Sequence, residues 1–422
     1  YLPTKKDDGL MKNKIIFVEN KFPMKKTSRI LAAAFLLCAA IPAGAQKKVL
    51  DHDVYDSWKR VSANTVSADG SVLSYEIVPQ QGDGVLHLTS LKDGRKTEIE
   101  RGYGAQLSQD GKWAFFKIKA PYEATRKARI AKKAKDKMPK DTLVYMNLSD
   151  FSMTRINEFS SYKTSVEGTV YLAYETEISA PADTSAKKKK SPKTKVLIVL
   201  NPESGHSDTL KNVGGYQFDK YGERLAVTFK KDKKDSLSKD ELALFCLPEM
   251  TRTSIDEGKS FYSLPTFNDG GDKFVYLAST DTNATGDKHC SVGIYEELTV
   301  GKGKKARTVT AVEELVPQSY TLTNGLRVNQ NSAPFFSKNS SRVLLGIAEC
   351  LPPHDTTLVD FETAQIDLWS YDIYMTPPMQ KARASQLKTA TYPSVINLAS
   401  NRHGIVQLSD EITASVRYID GA

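Results

Sequence analysis

"LSQDGKWAFFKIK", residues 107–119, opens on the polar turn Asp110-Gly111 and runs straight into a strand-like stretch. Glycine takes positive φ without a Cβ clash, so an Asp-Gly pair suits a tight turn. Cousins of the phrase return as "VSADGSVLSYEIV" (66–78), "FDKYGERLAVTFK" (218–230) and "FNDGGDKFVYLAS" (267–279). Side chains alternate after each turn. Leu73, Tyr75 and Ile77 share one face and Ser74 and Glu76 the other, while Leu225, Val227 and Phe229 oppose Thr228 and Lys230. Period two with aromatic and β-branched residues reads as strand.

Weaker copies stand at 165–178 ("SVEGTVYLAYETEI") and 336–348 ("FSKNSSRVLLGIA"), and a last one begins at Leu408 ("LSDEITASVRYID"). Intervals of about 40 to about 70 residues suit a four-stranded propeller blade with loop insertions. A β-sandwich would repeat its turns every 8–12 residues or so. The expected fold is therefore all-β, a β-propeller of about seven blades, incomplete at its carboxy end.

Residues 1–45 stand apart from that fold. Lys25, Lys26 and Arg29 precede the apolar run "ILAAAFLLCAAI" (30–41), which is too short to span a bilayer. Ala43 and Ala45 then form an A-x-A cleavage signal before Gln46, the pattern of a secretory signal peptide. Leu37 before Cys38 favours ordinary cleavage over a lipid anchor. Met24 is the natural start, which makes residues 1–23 an upstream extension, 24–45 the signal peptide and 46–422 the propeller domain. The expected location is secreted or periplasmic, with no membrane span after signal removal.

The formal charge of +9 is unevenly spread. Residues 1–45 hold eight basic and three acidic residues. Two insertions are strongly basic: 126–140 ("RKARIAKKAKDKMPK") and 187–195 ("KKKKSPKTK"). Neither contains an aromatic residue, whereas nucleic-acid surfaces interleave bases with aromatics. Both read as solvated loops, and no nucleic-acid partner is expected. The only clear helical pattern lies near residues 125–137. Cys246, Cys290 and Cys350 are widely spaced, without C-x-x-C. A disulfide between two of them is open, and small buried hydrophobes are the simpler reading.

Catalytic patterns are sparse. There is no G-x-S-x-G elbow, P-loop, dinucleotide glycine pattern or H-E-x-x-H, so no cofactor or metal is expected and no catalytic residue is assigned. His206, Ser207 and Asp208 are adjacent, but adjacency is not triad geometry, and the string after Asn201-Pro202 reads as a hairpin loop. His289-Cys290 lacks further metal ligands at suitable spacing. Glu296-Glu297 and Glu313-Glu314 are read as surface acids rather than a grip for a cation.

Three stretches together resemble a family. "VYDSWKRVSANTVSADGSVLSYEIVPQQGDGVLHL" (54–88), "ERGYGAQLSQDGKWAFFKIKAPYEATRKARIAKKAKDKMPKDTLVYMNL" (100–148) and "DTTLVDFETAQIDLWSYDIYMTPPMQ" (355–380) are similar to propeller segments of secreted prolyl oligopeptidase-family serine peptidases of Bacteroidetes type. The resemblance includes the lysine-rich excursion. It implies an amino-terminal propeller that gates and positions peptide substrates for a carboxy-terminal α/β-hydrolase domain, where the catalytic Ser, Asp and His of that family lie. That domain is absent from this sequence, so the chain alone is expected to be inactive. The double-glutamate clamp of the dipeptidyl-peptidase branch has no convincing match here. Aminopeptidase, dipeptidyl-peptidase and oligopeptidase specificities all remain open. The alternative is a self-contained periplasmic propeller that binds protein partners without catalysis. The peptidase-like insertions favour the first reading.

Overall fold

Six copies of the quoted phrase, those at 66, 107, 165, 218, 267 and 336, each run into the second strand of a separate sheet. The computed structural model describes residues 52–56, 58–179, 193–232, 235, 237–282, 286–300, 307–322, 324–351, 357–359, 362, 366–372 and 375–412. The chain divides into two compact units, Tyr1–Tyr55 and Asp56–Ala422. Of the first, only a helical turn at His52–Tyr55 is described. The signal peptide with Ala43, Ala45 and Gln46, and most of the copy that begins at Leu408, lie outside the described residues.

The second unit holds six antiparallel sheets among the described residues, each formed by strands consecutive in sequence. The first contains β1 (Lys59–Val66), β2 (Val72–Pro79), β3 (Val85–Ser90) and β4 (Lys96–Glu100). The second contains β5 (Gly102–Leu107), β6 (Trp113–Ile118), β7 (Thr142–Asn147) and β8 (Met153–Ile156). In the third are β9 (Ser161–Ser165), β10 (Tyr171–Ser179), β11 (Lys193–Leu200) and β12 (Ser207–Lys211). The fourth has β13 (Val213–Phe218), β14 (Arg224–Phe229), β15 (Glu241–Cys246) and β16 (Thr251–Glu257). The fifth splits its first strand into β17 (Phe261–Tyr262) and β18 (Thr266–Phe267), both paired with β19 (Lys273–Ser279), and continues through β20 (Ser291–Val300) and β21 (Arg307–Val316). The sixth comprises β22 (Phe335–Phe336), β23 (Arg342–Ile347), β24 (Tyr392–Asn397) and β25 (Asn401–Gln407).

The phrase recurs because one turn is built repeatedly between first and second strands. Its first residue is polar and buried: Ser67, Ser108, Ser165, Asp219, Asn268 and Ser337 head the six turns. Three positions later the backbone is left-handed, at Gly70, Gly111, Gly168, Gly222, Gly271 and Ser340. In five of the six the backbone N–H of the first residue donates to the carbonyl five positions on, as Ser108 does to Trp113 at 2.9 Å. The side chain accepts in return. Trp113 N–H donates to Ser108 Oγ at 2.9 Å, Arg224 N–H to Asp219 Oδ1 at 3.0 Å and Lys273 N–H to Asn268 Oδ1 at 3.1 Å. A buried polar group is tolerated because it satisfies backbone donors that the tight turn would otherwise orphan.

The sheets stack face to face in chain order. Ala114, Phe116, Val144 and Met146 of the second sheet pack against Leu86 and Leu88 of the first. Phe115 and Leu143, on the opposite face, pack against Leu172 and Leu200 of the third. The fourth sheet sends Leu225, Val227 and Phe245 towards the third, and Ala226, Leu242 and Leu244 towards the fifth. Val275, Leu277 and Val292 then meet Val343, Leu345 and Ile396 of the sixth. Strands of equal rank are neighbours: β1 lies by β5, β9 by β13, β18 by β22 and β21 by β25. This is how propeller blades succeed one another.

The turns meet as well. Gln109 N–H donates to Val166 O at 2.7 Å, and Thr169 N–H to Tyr221 O at 2.9 Å. Asn268 Nδ2 donates to Ser340 Oγ at 3.0 Å.

The two end sheets differ from those between them. No core cluster among the described residues joins the first sheet to the sixth. The outward face of the first carries the row Val61, Ile77 and Val85, with Tyr75 stacked on His87 beside it. The outward face of the sixth carries Phe335, Leu344, Val395 and Val406 in register across all four strands.

Helix α1 (Tyr122–Ile130) and a 3-10 turn at Lys135–Lys137 form the excursion between β6 and β7. The second basic run ends inside a strand, not a loop: Lys193, Thr194 and Lys195 begin β11. Lys195 Nζ lies 2.8 Å from Glu175 Oε2 on β10. A further helix, α2 (Pro377–Lys388), joins β23 to β24 and has no counterpart in the sequence reading. Its two prolines occupy the first turn, where the missing N–H costs nothing, but its weak apolar periodicity hid it.

Candidate functional site

The first strands are edge strands, hydrogen-bonded on one side only. Their free edges and turns can therefore meet a ligand. Between the third, fourth and fifth sheets they border an open cavity of about 580 Å³, to which Thr164, Gln217, Asp219, Lys220, Phe267 and Asp269 contribute. Glu167, Asp219 and Asp269 line it together with Lys220 and neutral polar side chains, and Lys220 Nζ stands 3.3 Å from Glu167 Oε2.

Lys163 on β9 adjoins this cavity. Its ammonium donates to Tyr216 O at 2.8 Å and to Gln217 Oε1 at 2.6 Å, and lies 5.5 Å from the centre of the Tyr216 ring. These oxygens are neutral, and burial pushes the Lys163 pKa down. Burial likewise pushes the Tyr216 phenol up to about 12, so it remains a protonated hydrogen-bonding group at neutral pH. Ser161 Oγ lies 3.3 Å from that phenol and donates to Glu175 Oε2 at 2.7 Å.

Asp219 closes one wall. Its residue is 3% exposed. Oδ1 accepts the Glu223 and Arg224 backbone N–H groups at 2.9 and 3.0 Å. Among the described residues Oδ2 has no hydrogen-bond partner, and Arg224 Nη1 is 4.0 Å away. Burial dominates and raises the Asp219 pKa. The arrangement offers charge and hydrogen bonds to a polar chain. It places no activated nucleophile beside a base and an oxyanion hole, the assembly acyl transfer requires.

The residues singled out from sequence are scattered. Asn201 N–H donates to His206 O at 2.9 Å, closing a hairpin turn between β11 and β12, and Ser207 and Asp208 belong to β12. His206 Nε2 lies 3.2 Å from Asp208 Oδ2 at an exposed position. His289 Nδ1 is 3.8 Å from Asp281 Oδ2 and 3.5 Å from an Arg327 nitrogen. Cys290 is buried, and Cys246 and Cys350 are partly so; all three are free thiols. Burial pushes Cys290 up to about 12 and Cys350 up to about 11, which makes both poor nucleophiles at neutral pH.

Glu296 and Glu297 are not the surface acids that the sequence suggests. They face opposite sides of β20. Glu296 is buried with Lys273 Nζ at 3.0 Å. Glu297 receives Arg224 in a two-pronged pair, Nε at 2.8 Å and Nη2 at 2.7 Å, which ties the fifth sheet to the fourth. Glu313 lies 3.5 Å from His403. Sequence reasoning passed over Lys163, Tyr216 and Asp219. One signal was available for the last: an acid stands where other copies of the phrase begin on Ser or Asn.

Among the described residues no helix is long and apolar enough to cross a membrane. No protein-family model matches the chain, and no curated protein does. Among solved structures, the chain is similar to the β-propeller domain of the Trilobed protease from Pyrococcus furiosus, at 11% identity and a TM-score of 0.35, over 70% of this chain and 79% of that one. The acylaminoacyl peptidase of Pyrococcus horikoshii matches at 10% identity and TM-score 0.33, over 71% of this chain and 50% of that chain. A prolyl endopeptidase matches at 12% and 0.34, over 78% of this chain and 52% of its own length. The chain thus spans about half the length of these two peptidases.

Proposed function

We propose that the chain is the non-catalytic β-propeller portion of a secreted prolyl oligopeptidase-like serine peptidase. In this reading it gates and positions peptides for an α/β-hydrolase domain of the same protein. One observation carries the propeller part: six sheets, each headed by the same turn, succeed one another face to face, with an apolar face left at either end. A propeller blade depends on both neighbours, so one further sheet, beginning near residue 408, would serve both end faces and make about seven blades. The peptidase part rests on the sequence resemblance, including the lysine-rich excursion at 126–140. Export rests on the leader, with Ala43, Ala45 and Gln46 as the cleavage site. The cavity beside Lys163 offers the mixed donors and acceptors that suit a peptide backbone.

The test uses an antibody raised against this chain and a fluorophosphonate probe on cells that express the gene. The expected result is an exported polypeptide well above the chain's 46.7 kDa that the probe labels. A band of the chain's own size, unlabelled, would overturn the peptidase reading.

A further inference from the structure

Two adjoining cavities of about 410 and 440 Å³ lie on the surface of the first two sheets and share Lys119 and Ala120. Six cations reach them from separate elements: Arg101 between β4 and β5, Lys119 after β6, Arg126 and Arg129 on α1, Lys140 before β7, and Arg155 on β8. None of the six forms an ion pair among the described residues. Arg101 donates to Lys119 O at 3.3 Å, Lys119 sits 4.8 Å from the Tyr103 ring centre, and Arg155 reaches the Met153 sulfur.

Most nearby acids are engaged elsewhere. Asp83 accepts the Tyr122 N–H at 3.0 Å, Asp141 accepts the Tyr103 O–H at 2.6 Å and the Ala120 N–H at 3.0 Å, and Glu98 lies 3.4 Å from His87. Glu100 remains, exposed on β4. Apolar Ile118, Ile130, Pro139 and Met153 lie between the cations. Guanidinium forks over an apolar floor favour carboxylates carried on an apolar chain over a bare polyanion.

The same molecule displays such a chain. Between Arg342 and Lys381 the sequence has six acids and no lysine or arginine. Within it, residues 366–372 ("IDLWSYD") leave Ile366, Leu368, Trp369 and Tyr371 at least 70% exposed. Asp367 holds this segment to α2 through Lys381 at 2.9 Å. No other seven described residues expose as much aromatic and aliphatic surface, and such clusters mark interfaces.

We propose that segment 366–372 of one copy of this chain docks in the basic groove between the first and second sheets of another. Groove and segment are different surfaces, so the contact is head-to-tail. The proposal does not depend on the peptidase reading. Asp367 and Asp372 bring opposite charge to the six cations, so salt should weaken this contact, whereas it does not weaken apolar association through the end sheets.

Light scattering on the full chain tests it. At about 0.05 M salt the mass should rise with protein concentration, and at about 0.5 M it should fall back to the monomer. Arg126→Glu with Arg129→Glu, and separately Trp369→Ala with Tyr371→Ala, should each weaken association about tenfold or more without lowering the melting temperature, since these side chains are exposed. Mixing Arg126→Glu protein with Asp372→Lys protein should restore a mixed oligomer. A monomer at every concentration in low salt, association that strengthens with salt, or association unaffected by both double variants would each overturn the proposal.

Discussion

The fourth and first sheets begin with the same kind of turn, yet their second strands are buried in opposite ways. In β14 the apolar residues Leu225, Ala226 and Val227 are all fully buried, because sheets lie on both sides. In β2 the polar residues Ser74 and Glu76 are buried against the second sheet, while Leu73, Tyr75 and Ile77 are only half-buried on the outward face. Glu76 is satisfied by the Gly104 N–H at 2.7 Å, whereas Ser74 Oγ has no hydrogen-bond partner among the described residues. The local pattern decides that a strand forms and which residues share a face. Position in the stack decides which face is covered.

The largest test of that contrast is core truncation. Phe274 is fully buried, stacked 4.7 Å from Tyr295, and Phe274→Ala should cost about 3–5 kcal/mol in chemical denaturation. Ile77→Ala on the outward face of the first sheet should cost about 1 kcal/mol. Equal losses would mean that the outward face is covered as fully as an interior one.

Turn glycines give the next largest effect. A Cβ at Gly222 (φ +69) would lie 2.1 Å from Thr169 O and 2.5 Å from Ser165 Oγ in the preceding turn. At Gly70 (φ +69), in the first sheet, it would meet nothing within 4 Å. Gly222→Ala should therefore cost about 3 kcal/mol or more, and Gly70→Ala only the left-handed strain of about 1 kcal/mol. Thermal melts of the two variants compare them directly.

Removing the turn's buried hydroxyl should cost less. Ser108→Ala strips the acceptor from the Trp113 N–H, a loss of about 1–1.5 kcal/mol. Rescue by Ser108→Asn, the residue type used at position 268, would separate the hydrogen bond from general packing.

Asp219→Asn should have the smallest effect and the opposite sign. Burial raises the Asp219 pKa above its ordinary 3.8, against the two backbone donors and Arg224. The folded state then holds the proton more tightly than the unfolded chain. The resulting stability is full below about pH 4 and is lost as pH rises through the raised folded value. Asn keeps the acceptor that Oδ1 provides and carries no charge. The variant should be more stable by about 1 kcal/mol at pH 7 and should lose that advantage in acid. A destabilised variant at pH 7 would show that attraction to Arg224 outweighs burial.

Much of this architecture was legible beforehand because its signals are local. The alternating strands after 66, 107, 165, 218, 267 and 336 each proved to be the second strand of a sheet, since period two and a tight turn are properties of neighbouring residues. The binding features were less legible. Lys163, Tyr216 and Gln217 lie on two sheets, and Glu297 meets Arg224 across 73 positions of sequence. Nothing in the string "EEL" distinguishes such a pair from surface acids.

The sequence by itself determined the strands, the repeating turn, the polar residue that opens it and the basic excursion at 126–140, because these depend on chirality, side-chain branching and hydrogen bonds within a few residues. Only the tertiary structure decided that Ser74 and Glu76 would face inward, that Glu296 and Glu297 would serve as internal ties, and that six cations without an ion pair among the described residues would share one surface. Burial and electrostatic pairing depend on which sheet arrives next to which, and that is set by the packing of whole sheets rather than by any stretch of chain.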